Sequence, residues 1–225
     1  MKKVSLILLA AALSATATLA QSATEPVYSQ NAVGFINKTV EAGTYAALTF
    51  PFVDMAATND LIDFDSQQIA KDATRGSTVY FWNGTGWDMK TARNNGFNTG
   101  KKLLPGELFL YKPASQQTVV LCGEVPDSAE LQRDIVGAAN YTACGNPYPV
   151  ATEFDTSTLA TSSPRGATAY FWNGTGWDMK TARNNGFNTG KILDPGEGFL
   201  YKTLATGAST NWVVTRPYDF PAAKE

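Results

Sequence analysis

The chain has 225 residues, with 18 basic and 20 acidic side chains, two cysteines and no histidine. Without histidine it has no Ser-His-Asp triad, no Cys-His dyad and no histidine metal site, and its slightly acidic charge argues against a nucleic-acid partner. The sequence therefore predicts a protein that is not an enzyme and that uses no cofactor or metal.

The N-terminal residues 1–20 have the pattern of a secretory signal peptide. Lys2 and Lys3 precede the apolar stretch Val4–Leu13, and small residues follow, with cleavage possible after Ala17 or Ala20 and favoured after Ala20. Cleavage there removes two lysines and leaves 16 basic and 20 acidic residues, a net charge of −4. The apolar run is too short to span a bilayer. We expect an exported bacterial protein, secreted or at the cell surface, with no membrane span in the mature chain.

A long internal repeat organises the rest of the chain. The 22 residues YFWNGTGWDMKTARNNGFNTGK occur at Tyr80–Lys101 and again, unchanged, at Tyr170–Lys191. Residues 21–30 are predicted to be a mobile lead-in, residues 31–124 the first unit, and residues 125–225 the second unit with a polar tail. The identity has two explanations that the sequence leaves open, selection on the repeated surface or recent duplication.

Each unit opens with β patterns. Alternating polarity predicts a strand at Val33–Val40, and a second at Tyr45–Phe50 with its counterpart at Tyr141–Gly145. Thr58 is in position to cap a short helix from Asn59 to Phe64.

A hairpin follows in each unit. Thr78–Trp82 and Trp87–Lys90 flank the turn sequence Asn-Gly-Thr-Gly, in which Asn-Gly favours a tight turn. An Asn- and Gly-rich loop comes next, and the strands Glu107–Lys112 and Thr118–Cys122 close the unit. The predicted fold is all-β, with two tandem repeats that each form a small antiparallel sandwich or barrel-like unit.

These segments resemble a known module of secreted bacterial proteins, with the pattern "AGWNLISLP…NGxGW…PGEGFWVK". The matching segments are Ala42–Pro51, Val79–Trp87, Leu104–Lys112 and Val120–Gly123. The opening EPVYSQNAVGFINKTVEAG is similar to the start of secreted repeat proteins of the Planctomycetes–Verrucomicrobia group. The resemblance covers nearly the whole mature chain. It implies a non-catalytic β module and supplies no catalytic residues.

The repeated hairpin carries the candidate ligand-binding residues, which are Tyr80, Trp82, Trp87, Tyr170, Trp172 and Trp177. A turn of two or four residues places Tyr80, Trp82 and Trp87 on one face, whereas a turn of three places Trp87 with Phe81. An exposed face of this kind could stack on sugar rings. The competing interpretation is that the rings fill a small β core, because large aromatic side chains bury so much area.

Two further sets of side chains have a predicted structural role. Cys122 and Cys144 form an even pair in an exported chain, which predicts a disulfide that joins the units, with two buried free thiols as the alternative. Asp60, Asp63 and Asp65 lie close together but fit no calcium loop, so we interpret them as a solvated, helix-capping cluster.

Two functions remain after these exclusions. The first is a non-catalytic β protein of the cell surface or extracellular matrix that acts through repeated protein–protein contacts, with itself or other surface proteins as partners. The second is a carbohydrate-binding or adhesive module that uses the hairpin aromatics on a polysaccharide.

Overall fold

The computed structural model describes residues 32–54, 61–94, 96–184 and 186–219. Strands dominate these residues, and the same series of elements occurs twice. The prediction of an all-β fold with two repeated antiparallel units is confirmed. The predicted signal peptide and the predicted lead-in both lie outside the described residues.

Over residues 32–54, 61–94 and 96–124, the first unit contains eight strands and two short helical turns. Its strands are β1 Val33–Val40, β2 Ala46–Leu48, β3 Ile62–Asp63, β4 Thr78–Trp82, β5 Trp87–Thr91, β6 Lys102–Leu103, β7 Phe109–Lys112 and β8 Gln117–Glu124. A 3₁₀ turn at Phe64–Ser66 and the helix α1 at Gln68–Lys71 lie between β3 and β4.

The second unit repeats this series. Its strands are β9 Glu130–Ile135, β10 Tyr141–Gly145, β11 Thr152–Glu153, β12 Thr168–Trp172, β13 Trp177–Thr181, β14 Ile192–Leu193, β15 Gly198–Lys202 and β16 Thr210–Thr215. The 3₁₀ turn is Phe154–Thr156 and the helix α2 is Thr158–Ser162.

Each unit is built around a four-stranded antiparallel sheet. The strand order is β2-β7-β4-β5 in the first unit and β10-β15-β12-β13 in the second. The first and last strands of each unit pair separately, β1 with β8 and β9 with β16, and two short ribbons, β3–β6 and β11–β14, complete the units. In each sheet one edge is therefore the second strand of the repeated hairpin, β5 or β13.

The core of each unit lies between its sheet and its two ribbons. In the first unit the sheet contributes Val79 and Phe81, the β1–β8 ribbon contributes Val119 and Leu121, and the helical turn contributes Phe64. Phe64 packs edge-on against Phe81, with ring centroids 5.1 Å apart. Phe154 and Phe171 repeat this contact at 5.1 Å in the second unit. Period-two alternation explains the arrangement, because it sends every second side chain of a strand into the core.

The helix predicted from Asn59 to Phe64 is wrong over the part that the structure describes. Thr58 and Asn59 lie outside the described residues, but Ile62–Asp63 is a strand, paired with Lys102–Leu103. The helical turns begin later, where the Asp63 carboxylate accepts the Asp65 N–H at 3.1 Å and caps the 3₁₀ turn. A β-partner from forty residues further along the chain outweighed the local capping signal.

Among the described residues, no helix has the length and apolar character that crossing a membrane requires.

Candidate functional site

The turn of each repeated hairpin has four residues, Asn83–Gly86 in the first unit. The Asn83 side-chain oxygen accepts the Thr85 N–H at 3.0 Å and the Gly86 N–H at 2.9 Å. Gly84 has φ 98°, a left-handed conformation that favours glycine. Asn173 makes the same two bonds in the second unit.

This turn settles which side chains share a face. Trp82 lies directly opposite Trp87, and Phe81 lies opposite Asp88. Phe81 points into the core of the unit, so Tyr80, Trp82 and Trp87 point to the other face of the sheet. All three are half-buried, as are their copies Tyr170, Trp172 and Trp177.

The two units meet through these aromatic faces. A cluster formed by both sheets contains Leu108 and Leu110 from the first unit and Ala143 and Leu200 from the second, and the six hairpin aromatics pack around it. The predicted site residues are thus brought together, as a contact between the two units.

The contact is reciprocal. The Trp82 indole N–H donates to the Tyr141 carbonyl at 3.0 Å, and the Trp172 indole N–H donates to the Tyr45 carbonyl at 2.8 Å. Tyr45 and Tyr141 are repeat equivalents, as are the two tryptophans. The units are therefore related as in an isologous dimer, with one surface patch used by both partners.

Repeat-equivalent residues meet at the centre of this contact, and there the two units differ. Leu108 and Gly198 hold the same position, before Phe109 and Phe199. A Cβ added to Gly198 would lie 2.5 Å from the Leu108 Cδ1 and 3.1 Å from the Leu48 carbonyl oxygen. There is room for one leucine and not for two, so the contact excludes leucine at both positions.

Charged side chains border the contact on both sides. Arg133 of β9 reaches Glu107 of the first unit at 3.5 Å and donates from Nε to the Ala143 carbonyl at 3.2 Å. Lys38 of β1 holds the position of Arg133 in the first unit, and the Glu197 carboxylate acts on it electrostatically. Burial lowers the pKa of Lys38, and Glu197 opposes this.

Tyrosine pairs lie beside the indoles. Tyr45 Oη donates to Tyr80 Oη at 3.4 Å, and the Lys112 ammonium lies 5.0 Å from the centre of the Tyr45 ring. The hydrogen bond to Tyr80, aided by burial, raises the pKa of Tyr45. Bonds from the Thr78 and Tyr45 hydroxyls lower the pKa of Tyr80. Tyr45 is thus the donor of the pair and Tyr80 the acceptor.

The predicted disulfide is wrong, because Cys122 and Cys144 are both free thiols. Cys144 is completely buried in the core of the second unit, where it holds the position of Leu48. Cys122 lies on β8 opposite the exposed Phe35, on the other face from the buried Leu121. One thiol thus faces the second core and the other faces away from the first core.

Sequence reasoning missed the role of Asp65, which holds the Asn- and Gly-rich loop. Its carboxylate accepts the backbone N–H groups of Thr99 and Gly100 at 2.7 Å each, and the Thr99 hydroxyl at 2.9 Å. Asp155 binds Thr189 and Gly190 in the same way. The signal was the Phe-Asp pair that opens each 3₁₀ turn, at Phe64 and Phe154.

The two edges of the first sheet differ in what covers them. The β2 edge is covered by the second unit, since Leu48 bridges Glu197 and the Thr49 N–H donates to the Gly196 carbonyl at 3.1 Å. Within the described residues the opposite edge, β5, pairs only with β4.

An open cleft of about 1080 Å³ lies beside β5. Its lining includes Arg75, Lys90, Arg93 and the amide Asn98. The equivalent side chains Arg165, Lys180, Arg183 and Asn188 line two adjoining clefts, of about 450 and 480 Å³, beside β13. Each unit thus presents an open edge strand beside a basic cleft.

The described residues contain no group of three or more acidic or cysteine side chains placed to hold a metal ion. No family model, no curated protein and no solved structure matches this chain. The site is therefore interpreted from its own geometry.

Proposed function

We propose that this chain is a non-catalytic β protein that acts outside the cell, at the surface or in the extracellular matrix, through repeated protein–protein contacts. The observation that carries the proposal is the different use of the two surfaces of the repeat. The aromatic faces are occupied by each other within the chain, whereas the edge strands β5 and β13, both WDMKT, are open.

The two edges support association because each presents backbone groups that another protein can pair with. A chain that carries the same edge twice engages two partners at once, which gives avidity when the geometry allows both. The location rests on Lys2, Lys3 and the apolar stretch after them.

Sedimentation velocity and electron microscopy of the mature chain, from residue 21, test this function. We expect oligomers whose average size increases with protein concentration. A chain that stays monomeric over the whole accessible range, and that does bind a polysaccharide, would replace this function with the second one.

The second candidate is polysaccharide binding, and the duplicated clefts favour it. Arg75, Lys90 and Arg93 offer cationic donors and Asn98 offers an amide, a combination that suits an acidic polysaccharide. A pull-down with a uronic-acid polymer, and with a neutral glucan as control, tests it. Retention on the acidic polymer that is lost in the double variant Arg93→Ala/Arg183→Ala would support this candidate.

A further inference from the structure

The outward-facing backbone groups of β5 are those of Trp87, Met89 and Thr91. In the β4–β5 ladder, Ala92 N–H donates to Ser77 at 2.8 Å and Asn83 N–H donates to Gly86 at 3.0 Å. Hydrogen-bonded pairs alternate along an antiparallel ladder, so Asp88 and Lys90 also bond inward to β4. The peptide groups of Met89, between them, point outward and have no hydrogen-bond partner within the described residues.

The side chains around Met89 have a charge pattern that complements itself. Asp88 and Lys90 are two residues apart on one face and form an exposed ion pair of 3.1 Å. If a second WDMKT strand is placed antiparallel with its methionine opposite Met89, each aspartate comes opposite a lysine. Opposite charges directly across two strands stabilise the pair.

The residues of β5 whose backbone groups point outward agree with that register. Met89 becomes a hydrogen-bonded pair with the methionine of the other strand, and each Asp–Lys pair becomes a non-hydrogen-bonded pair, in which Cα atoms approach to about 4.5 Å and side chains are closest. On the other face the methionine side chains meet. Met89 and Met179 are 53 % and 55 % exposed, among the most exposed large apolar side chains described.

From these three observations we propose that the edge strands β5 and β13 pair antiparallel with the edge strands of a second copy of this chain. Either edge can pair with β5 or β13 of the other copy, with the two methionines opposite each other. The proposal rests on the proposed function and names its partner and its surface. Pairing β5 of one copy with β13 of the next joins two four-stranded sheets into one of about eight strands, a size that open sheets commonly reach.

Because every chain has two such edges, the assembly does not stop at a dimer. A single blocked edge leaves one edge free, which limits the assembly to dimers. Blocking both edges leaves monomers. The size distribution of variants therefore reports how many edges take part.

Charge reversal on the edge is the direct test, by sedimentation velocity over a concentration series. Asp88→Lys places a lysine opposite Lys180 of an unmodified β13 edge, or opposite Lys90 of another variant β5 edge. Only β13 can then pair with β13, so we expect dimers. Asp88→Lys/Asp178→Lys should be monomeric, with self-association weakened at least tenfold. The control Glu130→Lys/Glu153→Lys changes the net charge equally at exposed residues of β9 and β11, and should assemble like the original chain.

Exchanging the charges makes the test specific. The variant Asp88→Lys/Lys90→Asp/Asp178→Lys/Lys180→Asp keeps the ion pair within each strand and restores complementarity between variant edges. It should assemble with itself but not with the original chain, as measured by mixing two fluorescently labelled proteins. Co-assembly of the two proteins would overturn the register.

The remaining outcomes separate the two proposals. If the original chain assembles and the Asp88→Lys/Asp178→Lys variant assembles equally well, edge pairing is wrong while the proposed function stands. If the original chain is monomeric at every concentration, its edge charges act to prevent pairing, and both proposals fail.

Discussion

Leu108 and Gly198 are the residues that distinguish the two units at the centre of their contact. Because a side chain on Gly198 would meet Leu108 at 2.5 Å, two copies of the first unit could not pair in the same way. The contact therefore excludes a pair of first units. A difference at one contacting position is thus enough to exclude one pairing of the repeats by steric overlap.

Exchanging these two residues tests the idea. Gly198→Leu should destabilise the protein by about 1–3 kcal/mol through overpacking, and Leu108→Gly by at least the roughly 2–5 kcal/mol of a buried leucine truncation. The double exchange should recover much of the loss, since one leucine again fills the space. Urea unfolding measures all three, with Gly176→Leu as control, because an added Cβ there meets nothing within 4 Å. Additive losses in the double variant would contradict direct contact.

The two cysteines should differ in reactivity. Burial raises the pKa of the Cys144 thiol to about 12, and the thiolate is the reactive form. Iodoacetamide at pH 8 should modify the half-buried Cys122 and leave Cys144 unmodified until urea unfolds the chain. Peptide mass spectrometry identifies the modified residue. A peptide in which both cysteines are linked would restore the disulfide that the structure contradicts.

The same thiol makes stability depend on alkaline pH. Its folded pKa lies above the ordinary value of 9.0, so below pH 9 its contribution is fully present, and as the pH rises from 9 toward 12 the unfolded chain ionises first and stability falls. The decline should be shallower in Cys144→Ala than in the original chain, by about one proton in the pH slope. Equal slopes in melts between pH 8 and 11 would show that Cys144 does not contribute.

At the scale of elements, the hairpin is the part of the repeat that joins the units. Its indoles have unequal roles: Trp82 donates to the Tyr141 carbonyl at 3.0 Å, whereas Trp87 packs against Trp82 with ring centroids 5.4 Å apart. Within the part of the chain that the structure describes, the Trp87 indole N–H makes no hydrogen bond. The two tryptophans thus offer a matched pair for mutation.

Trp82→Phe should therefore destabilise the chain by about 1–2 kcal/mol more than Trp87→Phe, because it leaves the Tyr141 carbonyl without its donor. Trp172→Phe should behave like Trp82→Phe, since Trp172 makes the equivalent bond to Tyr45. Chemical denaturation of the three variants compares them. Equal losses for Trp82→Phe and Trp87→Phe would mean that the interunit hydrogen bond adds nothing.

At the scale of the whole molecule, the two units share a common apolar surface and an ion pair at its border. Separation would expose the cluster around Leu108, Leu110 and Leu200. It would also leave Glu107 without Arg133. We expect the units to unfold together in one transition.

Calorimetry tests this cooperativity through the ratio of calorimetric to van't Hoff enthalpy, which should be close to one. Leu110→Asp, which places a charge in the contact, should divide the transition into two, because it weakens the contact while leaving each core intact. Thr210→Asp, at the exposed end of β16, is the control and should keep a single transition. Two well-separated transitions in the original chain would show that the contact is weak.

Much of the fold could be predicted from local patterns. The strands Val33–Val40, Thr78–Trp82 and Tyr141–Gly145 have the predicted bounds, because alternation and turn residues are properties of neighbouring positions. The prediction of a short helix was wrong because Ile62–Asp63 pairs with a distant segment, Lys102–Leu103, in a two-stranded ribbon. The hydrogen bonds from the loop to the Asp65 carboxylate were missed for the same reason, since their donors lie 34 and 35 residues away.

The sequence alone determined that the chain is all-β, that it contains one unit twice, and that Tyr80, Trp82 and Trp87 share a face if the turn has four residues. Only the tertiary structure decided what covers that face. Alternation defines which side chains point together, but it says nothing about which distant surface they meet. The meeting of Leu108 with Gly198 follows from how the two units pack. The burial of Cys144 away from Cys122 and the open edges β5 and β13 follow from strand order and register within each unit.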